Sequence, residues 1–599
     1  MIRVQRAFAV VLCLVGSGGM ARAGETGLTP AGIDRMIRAE WKKQKITPAP
    51  PVDDARFLRR VTLDITGNLP AVETVRRFLA DRSPDKRARA IETLLASPGY
   101  VKRWVAYWDD VLMGRAMRPM PTVDRVAFRQ WLTEKFQKNT PYNQFVYELL
   151  TATGQNSTGG SLARAAGMEM PAMLAPFAAQ ETGDPAKVNG AVNWFLKYAQ
   201  TPADLSGAVS RIFLGVQIQC AQCHDHKTEK WTREDFRRFT ACFIRTRPVP
   251  VDLNRDQPRG IRRFELRDIE RPFLRDRPRF GGGEYASATP AALDGTEFLQ
   301  SPNRRRALAA WITAPENPYF AQAIVNRMWA HFMGRGFVDP IDDFRPSNPV
   351  VMPELLQKLS EDFVAHGYDL KRLIRLICNT QTYQLSAAPS RNDPENLYWS
   401  RYRLKPMGPE MILDALITAT GMEEGLQRVA GTGAEAVKAQ ILRQLIFLFD
   451  VDEEFEQKDF EGTIPQALLL LNGSLVNNGA SLLPGNALAQ VLALPGDDAA
   501  KIEELYLRTL SRKPTAAELK HWQAFLNAPR TVVRTDSTPG AGRRLQRGLG
   551  GPVRRMGGGP DPFARVLARA RLPEPEPKQQ AFEDLFWALL NSSEFIFNH

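Results

Sequence analysis

Apolar residues recur every three or four positions along most of this chain, and that spacing restricts the fold more than any other feature. Leu355, Leu356, Leu359 and Phe363 mark one helix face, and Gly367 ends the run. Asp369 then stands where a helix cap belongs, ahead of Leu370, Leu373, Ile374 and Ile377 on one stripe. Thr515 and Glu518 have capping-box spacing before Leu519, Trp522 and Phe525. Helical character returns from Ala581 through Phe586, Trp587 and Leu590. The alternation of a half-buried strand is scarce and is concentrated between Arg247 and Phe298. The expectation is a mainly α protein with minor β. With 44% apolar and 24% charged residues, the composition excludes a fibrous or wholly disordered chain.

Two stretches interrupt the helical pattern. Residues 244–302 are rich in Arg and Pro, contain Gly281-Gly282-Gly283, and read as a connector. Residues 529–578 hold excess Gly, Arg and Pro, end in Pro573-Glu574-Pro575-Glu576-Pro577, and read as a disordered insertion. They leave two large helical domains, 24–243 and 303–599. Arg3 and Arg6, the apolar run Ala7 to Met20 and the small-x-small Ala21-Arg22-Ala23 have the layout of a signal peptide at 1–23. The mature protein is therefore expected near Gly24, exported to the periplasm or beyond the cell. The apolar run is shorter than the roughly 20 residues a spanning helix needs, so no membrane span is expected.

The formal charge is +13, and its location decides what it means. Arg3, Arg6 and Arg22 leave with the leader; residues 529–560 hold seven Arg and one Asp; residues 245–279 hold eleven Arg and six acids. What remains is close to neutral. No aromatic residues are interleaved to stack bases, so a nucleic-acid partner is not expected, while an acidic polysaccharide suits the insertion.

Past the leader the cysteines are Cys220, Cys223, Cys242 and Cys378, in a chain long enough to bury a core without disulfides. Residues 219–226 read Gln-Cys-Ala-Gln-Cys-His-Asp-His. Cys-x-x-Cys-His is the attachment signature of c-type haem: two thiols three apart form thioethers to the vinyl groups, and the adjacent imidazole reaches the iron. Cys220 and Cys223 are the expected attachment points and His224 the proximal ligand. Leu205, Val209, Ile212 and Val216 predict a helix that delivers Cys220 at its end. Thr232 and Asp235 predict the cap of a second helix, with Phe236, Phe239 and Phe243 on its apolar face. No Met lies between His224 and Met328, so the candidates for a second axial ligand are the remote Met168, Met170, Met173, Met328 and His331, unless that position is left open or no haem is bound. Two other readings stand beside haem. Cys220, Cys223, His224 and His226 offer thiolates and imidazoles for zinc or iron, as in a structural module of an extracellular assembly. Alternatively the two thiols form a disulfide. Cys242 reads as a buried apolar cysteine. The haem reading predicts electron transfer, or an oxidoreductase step, with a redox partner.

Asn326 to Arg345 is a second candidate. Arg327 and His331 share a helix face, Gly334 and Gly336 break the helix, and Asp339, Asp342 and Asp343 follow. His331 with Asp342 and Asp343 could serve a metal or a hydrolase. The alternative is that Arg327 and Arg335 pair with these aspartates and merely hold the corner.

Leu214-Gly-Val-Gln-Ile-Gln-Cys-Ala-Gln-Cys-His-Asp-His and Trp231-Thr-Arg-Glu-Asp-Phe resemble the cytochrome-c-like domain of unknown function abundant in planctomycetes. Arg59-Arg-Val-Thr-Leu-Asp-Ile-Thr-Gly-Asn-Leu-Pro and Leu94-Leu-Ala-Ser-Pro-Gly-Tyr look like its start. The second half resembles that domain's usual companion, also of unknown function. The likeness is carried by Asn326 to Arg345, His366 to Arg375, Tyr506 to Thr515 and Leu589 to Phe595. The resemblance implies an exported, haem-bearing protein linked to electron transfer or polysaccharide breakdown.

Overall fold

The computed structural model describes residues 27–115, 120–160, 183–199, 201–251, 261–269, 282–424, 438, 441–443, 445–446, 474–482, 485–529 and 576–599. The expected leader at 1–23, nearly all of the expected 529–578 insertion, and Met168, Met170 and Met173 lie outside them. The protein is mainly α, as the apolar spacing predicts. Helix Pro353–Ala365 buries Leu355, Leu356, Leu359 and Phe363. In helix Leu370–Cys378 the Asp369 carboxylate accepts from the Lys371 and Arg372 amides, and Leu370, Leu373, Ile374 and Ile377 are buried. The Thr515 and Glu518 capping box is formed on helix Ala516–Asn527. Among the described residues no helix is long and apolar enough to cross a membrane.

Among the described residues the named strands form two small antiparallel sheets. Strands β1 (Gly154–Gln155), β2 (Thr246–Pro250) and β3 (Phe264–Asp268) pair in the order β1-β3-β2, with Gly154 opposite Leu266 and Thr246 opposite Asp268. The Arg- and Pro-rich connector thus supplies two strands that fold back on the first half. Strand β4 (Lys405–Pro406) pairs with β5 (Phe597–Asn598) at the chain's end.

Two apolar cores result. The larger draws on residues from Ile33 to Phe298 and from Leu308 to Tyr402, around the buried indoles of Trp104, Trp108, Trp194, Trp329 and Trp399. The smaller runs from Met407 to Phe595 and also takes in Leu63 and Leu69. Helix Asp54–Thr66 belongs to both: Phe57, Val61 and Ile65 face the first core and Leu63 the second, and every residue from Phe57 to Ile65 is buried. A helix enclosed on all sides must find partners for its polar groups inside the protein. Arg59 donates to the carbonyls of Thr509, Glu594 and Phe595, and Arg60 to those of Tyr383 and Leu385. The Arg60 guanidinium also lies 3.6 Å from the centre of the Tyr402 ring. The Arg-Arg pair that opens the family-like motif is therefore an internal strut.

Candidate functional site

The segment that presents the cysteines departs from the expected helix. Helix Pro202–Val209 passes into a π-helical turn, Ser210–Leu214, and ends at Gly215 with φ 67°. A separate 3-10 turn, Ile218–Ala221, then carries Cys220. The break is fixed by a contact from a distant part of the chain: the Phe344 amide donates to the Gly215 carbonyl at 2.9 Å, and a Cβ on Gly215 would meet the Phe344 ring at 2.6 Å. Only glycine accepts both the left-handed φ and that approach. Ile218 and Ala221 anchor the turn in the core, and Cys220 and Cys223 face outward as free thiols. The second helix forms as expected at Arg233–Thr240, with the Thr232 and Asp235 capping box and Phe236 and Phe239 buried; Phe243 is buried just past its end.

The two histidines of the loop differ. His224 is exposed, and its Nδ1 lies 2.7 Å from the Asp225 carbonyl. A carbonyl can only accept, so Nδ1 carries the proton and Nε2 keeps an open lone pair. In His226 the assignment is reversed. Its Nδ1 accepts the amides of Thr228 at 3.3 Å and Glu229 at 3.1 Å, while its own amide donates to the Trp231 carbonyl at 2.8 Å. His226 is a brace of the loop, and ligation through its Nε2 would cost those bonds. Among the described residues no three His, Cys, Asp or Glu side chains gather as a metal cluster. The set Cys220, Cys223, His224 and His226 is therefore adjacent in sequence without converging.

Cys242 and Cys378 are buried, and burial pushes both thiols well up from their ordinary range. Met328 is wholly enclosed in helix Phe320–Met333.

The corner at 337–345 does lie against the cysteine loop, but His331 does not go with it. Arg211 pairs with Asp342 at 3.6 Å, Gln217 donates to Asp342 at 3.4 Å, and Ser347 donates to Glu229 at 3.1 Å. Buried Asn326 holds the turn by donating to the carbonyls of Val338 at 3.0 Å and Ile341 at 2.9 Å. Arg335 pairs with Asp339 at 3.7 Å and Arg345 with Asp343 at 3.0 Å, so Arg345 and Arg211 take the place expected of Arg327. His331 packs elsewhere, its ring centre 5.1 Å from that of Trp104 and 5.3 Å from that of Tyr107, with Nε2 3.3 Å from the Asp64 carbonyl. Burial, reinforced by the Arg103 and Lys405 charges, lowers its pKa well below the usual value, so the ring is neutral. His331 and the Asp342 and Asp343 carboxylates form no joint site.

Tertiary structure creates an acid–base group that the sequence reading missed. A cleft of about 980 Å³ lies between helices Pro98–Met113 and Pro409–Thr420. Inside it Arg115 bridges Asp110, at 3.2 Å, and Glu410, at 3.9 Å. Burial first, and then the Glu410 charge, push the Asp110 carboxyl up to about 6. The two acids stand 300 positions apart, and no local motif marks either.

Two family models match the chain. PSCyt2, a protein of unknown function (DUF1549), matches residues 32–248, and PSD1, a protein of unknown function (DUF1553), matches residues 304–444. The chain pairs a PSCyt2 domain with a PSD1 domain. The PSCyt2 match holds Cys220, Cys223, His224, Asp110 and the Arg59-Arg60 strut; the PSD1 match holds His331, the 337–345 corner and Glu410. Residues 445–599, with Tyr506 to Thr515 and Leu589 to Phe595, lie beyond both matches. No curated protein and no solved structure matches the chain.

Proposed function

We propose that this PSCyt2–PSD1 protein is an exported carrier of covalently attached haem that serves electron transfer or an oxidoreductase step. Cys220 and Cys223 are its attachment points and His224 its proximal ligand. One observation carries the reading: two exposed, unpaired thiols stand beside an imidazole whose Nδ1 proton is bound to the Asp225 carbonyl and whose Nε2 is open. Haem supplies one-electron chemistry when bound. The chain's own residues orient it. Ile218 and Ala221 fix the turn, His226 and the Thr232 cap hold the loop behind the ligand, and Phe344 locks its entry at Gly215. His331, packed against Trp104 and Tyr107, is not counted among the residues that would hold the haem. Export, which this reading requires, is supported by the leader pattern at 1–23.

The alternative is a non-haem metal-binding module of an extracellular assembly, and the brace role of His226 weighs against its four-ligand set. The deciding experiment is an absorption spectrum, an intact mass and a metal analysis of the full chain, produced in a host that matures c-type cytochromes. A covalent haem mass and a haem band, altered in His224→Ala and retained in His226→Ala, are expected. Stoichiometric zinc or iron without haem would transfer the reading to the alternative, and no haem and no metal would overturn both.

A further inference from the structure

Away from the cysteine loop and from the 980 Å³ cleft, three guanidinium groups meet at one small cavity. It measures about 180 Å³ and is lined by Arg245, Arg304, Arg305 and Cys242, with Thr246, Asn303 and Asp268 on the sheet side. Asp268 is fully engaged. It pairs with Arg305 at 2.8 Å and accepts from Thr246 at 2.8 Å and Asn303 at 2.7 Å. Arg305 is satisfied at both of its outer nitrogens, since it also donates to the Leu150 and Ala152 carbonyls at 3.1 and 2.9 Å. Arg245 and Arg304 are different: neither has a carboxylate partner among the described residues. The Nε atoms of Arg245, Arg304 and Arg305 are all buried without a hydrogen-bond partner. Cys242 is no counter-ion, because burial holds it as a neutral thiol whose Sγ faces the carbonyls of Arg238 and Ala291.

One carboxylate therefore faces three permanent positive charges. Unpaired buried donors and gathered like charges both cost stability unless something fills the space. Burial, and then the neighbouring Arg245 charge, lower the Arg304 pKa, which is the sign of that repulsion. An anion would relieve it, and guanidinium forks match the oxygens of tetrahedral oxyanions.

We propose that this cavity binds a sulfate or phosphate group, held by Arg245 and Arg304 and buttressed by the Arg305–Asp268 pair. The group is either a free ion or the ester terminus of a larger molecule. This site is independent of haem: it lies beside strands β2 and β3, between the ends of the PSCyt2 and PSD1 matches, and shares no residue with Cys220, Cys223 or His224.

The test is calorimetric titration and thermal unfolding of the full chain with sodium sulfate, sodium phosphate, phenyl sulfate and phenyl phosphate. Sodium chloride of equal ionic strength is the control. A saturable stabilisation beyond chloride is expected, weakened about tenfold or more in Arg304→Met and in Arg245→Met. In chloride alone each variant should unfold at or above the wild-type temperature, because the repulsion is removed; a merely structural arginine would lower it. Tighter binding of the phenyl esters than of the free ions identifies an ester ligand, and the reverse identifies a free ion. No saturable effect in the wild type, or the same effect in both variants, overturns the proposal. If one variant fails to fold, the other and Arg304→Lys, which keeps a charge but not the fork, decide it.

Discussion

Lys405 Nζ lies 2.6 Å from Asp64 Oδ1 in the interior, where the Asp64 side chain keeps only 3% of its exposure. Asp64 also accepts from Tyr383 at 2.7 Å and Asn598 at 2.8 Å, and Lys405 also donates to the His331 carbonyl at 2.7 Å. One ion pair thus joins helix Asp54–Thr66, helix Phe320–Met333, the Tyr383 turn and the C-terminal strand β5. It sits where the two apolar cores meet.

Removing one partner of that pair leaves the other charge buried. Asp64→Asn is expected to destabilise the protein by about 3–5 kcal/mol, because the Lys405 ammonium loses its counter-charge. Lys405→Met should cost less, since Asp64 keeps the Tyr383, Tyr402 and Asn598 donors. Chemical denaturation of the two variants and the double variant measures the difference. Equal losses in all three would show that shape rather than charge is what the site requires.

The Asp110 carboxyl, raised to about 6 from an ordinary value of 3.8, sets a pH dependence with a definite sign. The folded state holds this proton more tightly than the unfolded chain, so the contribution is full below about pH 4 and disappears as pH rises through about 6. Melting temperatures of wild type and Asp110→Asn, compared from pH 4 to 8, should diverge across that window, the variant gaining relative to wild type as pH rises. Parallel curves would mean that Asp110 is not the titrating group.

Thiol reactivity should divide the cysteines two and two. Produced without haem and kept reduced, the folded protein is expected to react rapidly at Cys220 and Cys223, which are exposed. Cys242 and Cys378 should react only after unfolding, being buried and held as neutral thiols. Peptide mapping of the labelled sites checks this. Rapid labelling of Cys378 would contradict its place in the core.

Gly336→Ala tests the corner. A Cβ there would stand 2.5 Å from Asn326 Oδ1 and from the Val338 carbonyl, so the Asn326 clamp must open. A loss of about 1–3 kcal/mol in unfolding free energy is expected. A smaller loss from Gly336→Ala in an Asn326→Ala background than in the wild type would identify the clamp as part of the cause, and an unchanged melting temperature for Gly336→Ala alone would refute the clash.

The helices, their caps and the cysteine motif were legible because each depends on residues within one or two turns of each other. Leu355 to Phe363, Asp369 before Leu370, and Thr515 with Glu518 form as their spacing predicts. The helix expected to reach Cys220 stops at Leu214 because Phe344, 129 positions on, fixes Gly215 in the left-handed region. The same limit explains His331. Its spacing from Asp342 and Asp343 suggested a joint site, but the helix ends between them, and packing against Trp104 and Tyr107 takes the imidazole away.

What the sequence determined by itself is the helical class, the local caps, and the chemistry available at Cys220, Cys223 and His224, since periodicity and a five-residue motif are local properties. Which histidine keeps an open nitrogen and which braces a loop follows from contacts one to three residues away, set by the fold of the loop itself. Tertiary structure alone decided that Asp110 meets Glu410, and that Arg245 and Arg304 face one cavity with a single, already occupied carboxylate. Those facts depend on burial and on distances between residues far apart in the chain. Both are set by how segments distant in sequence pack together, and no local pattern encodes them.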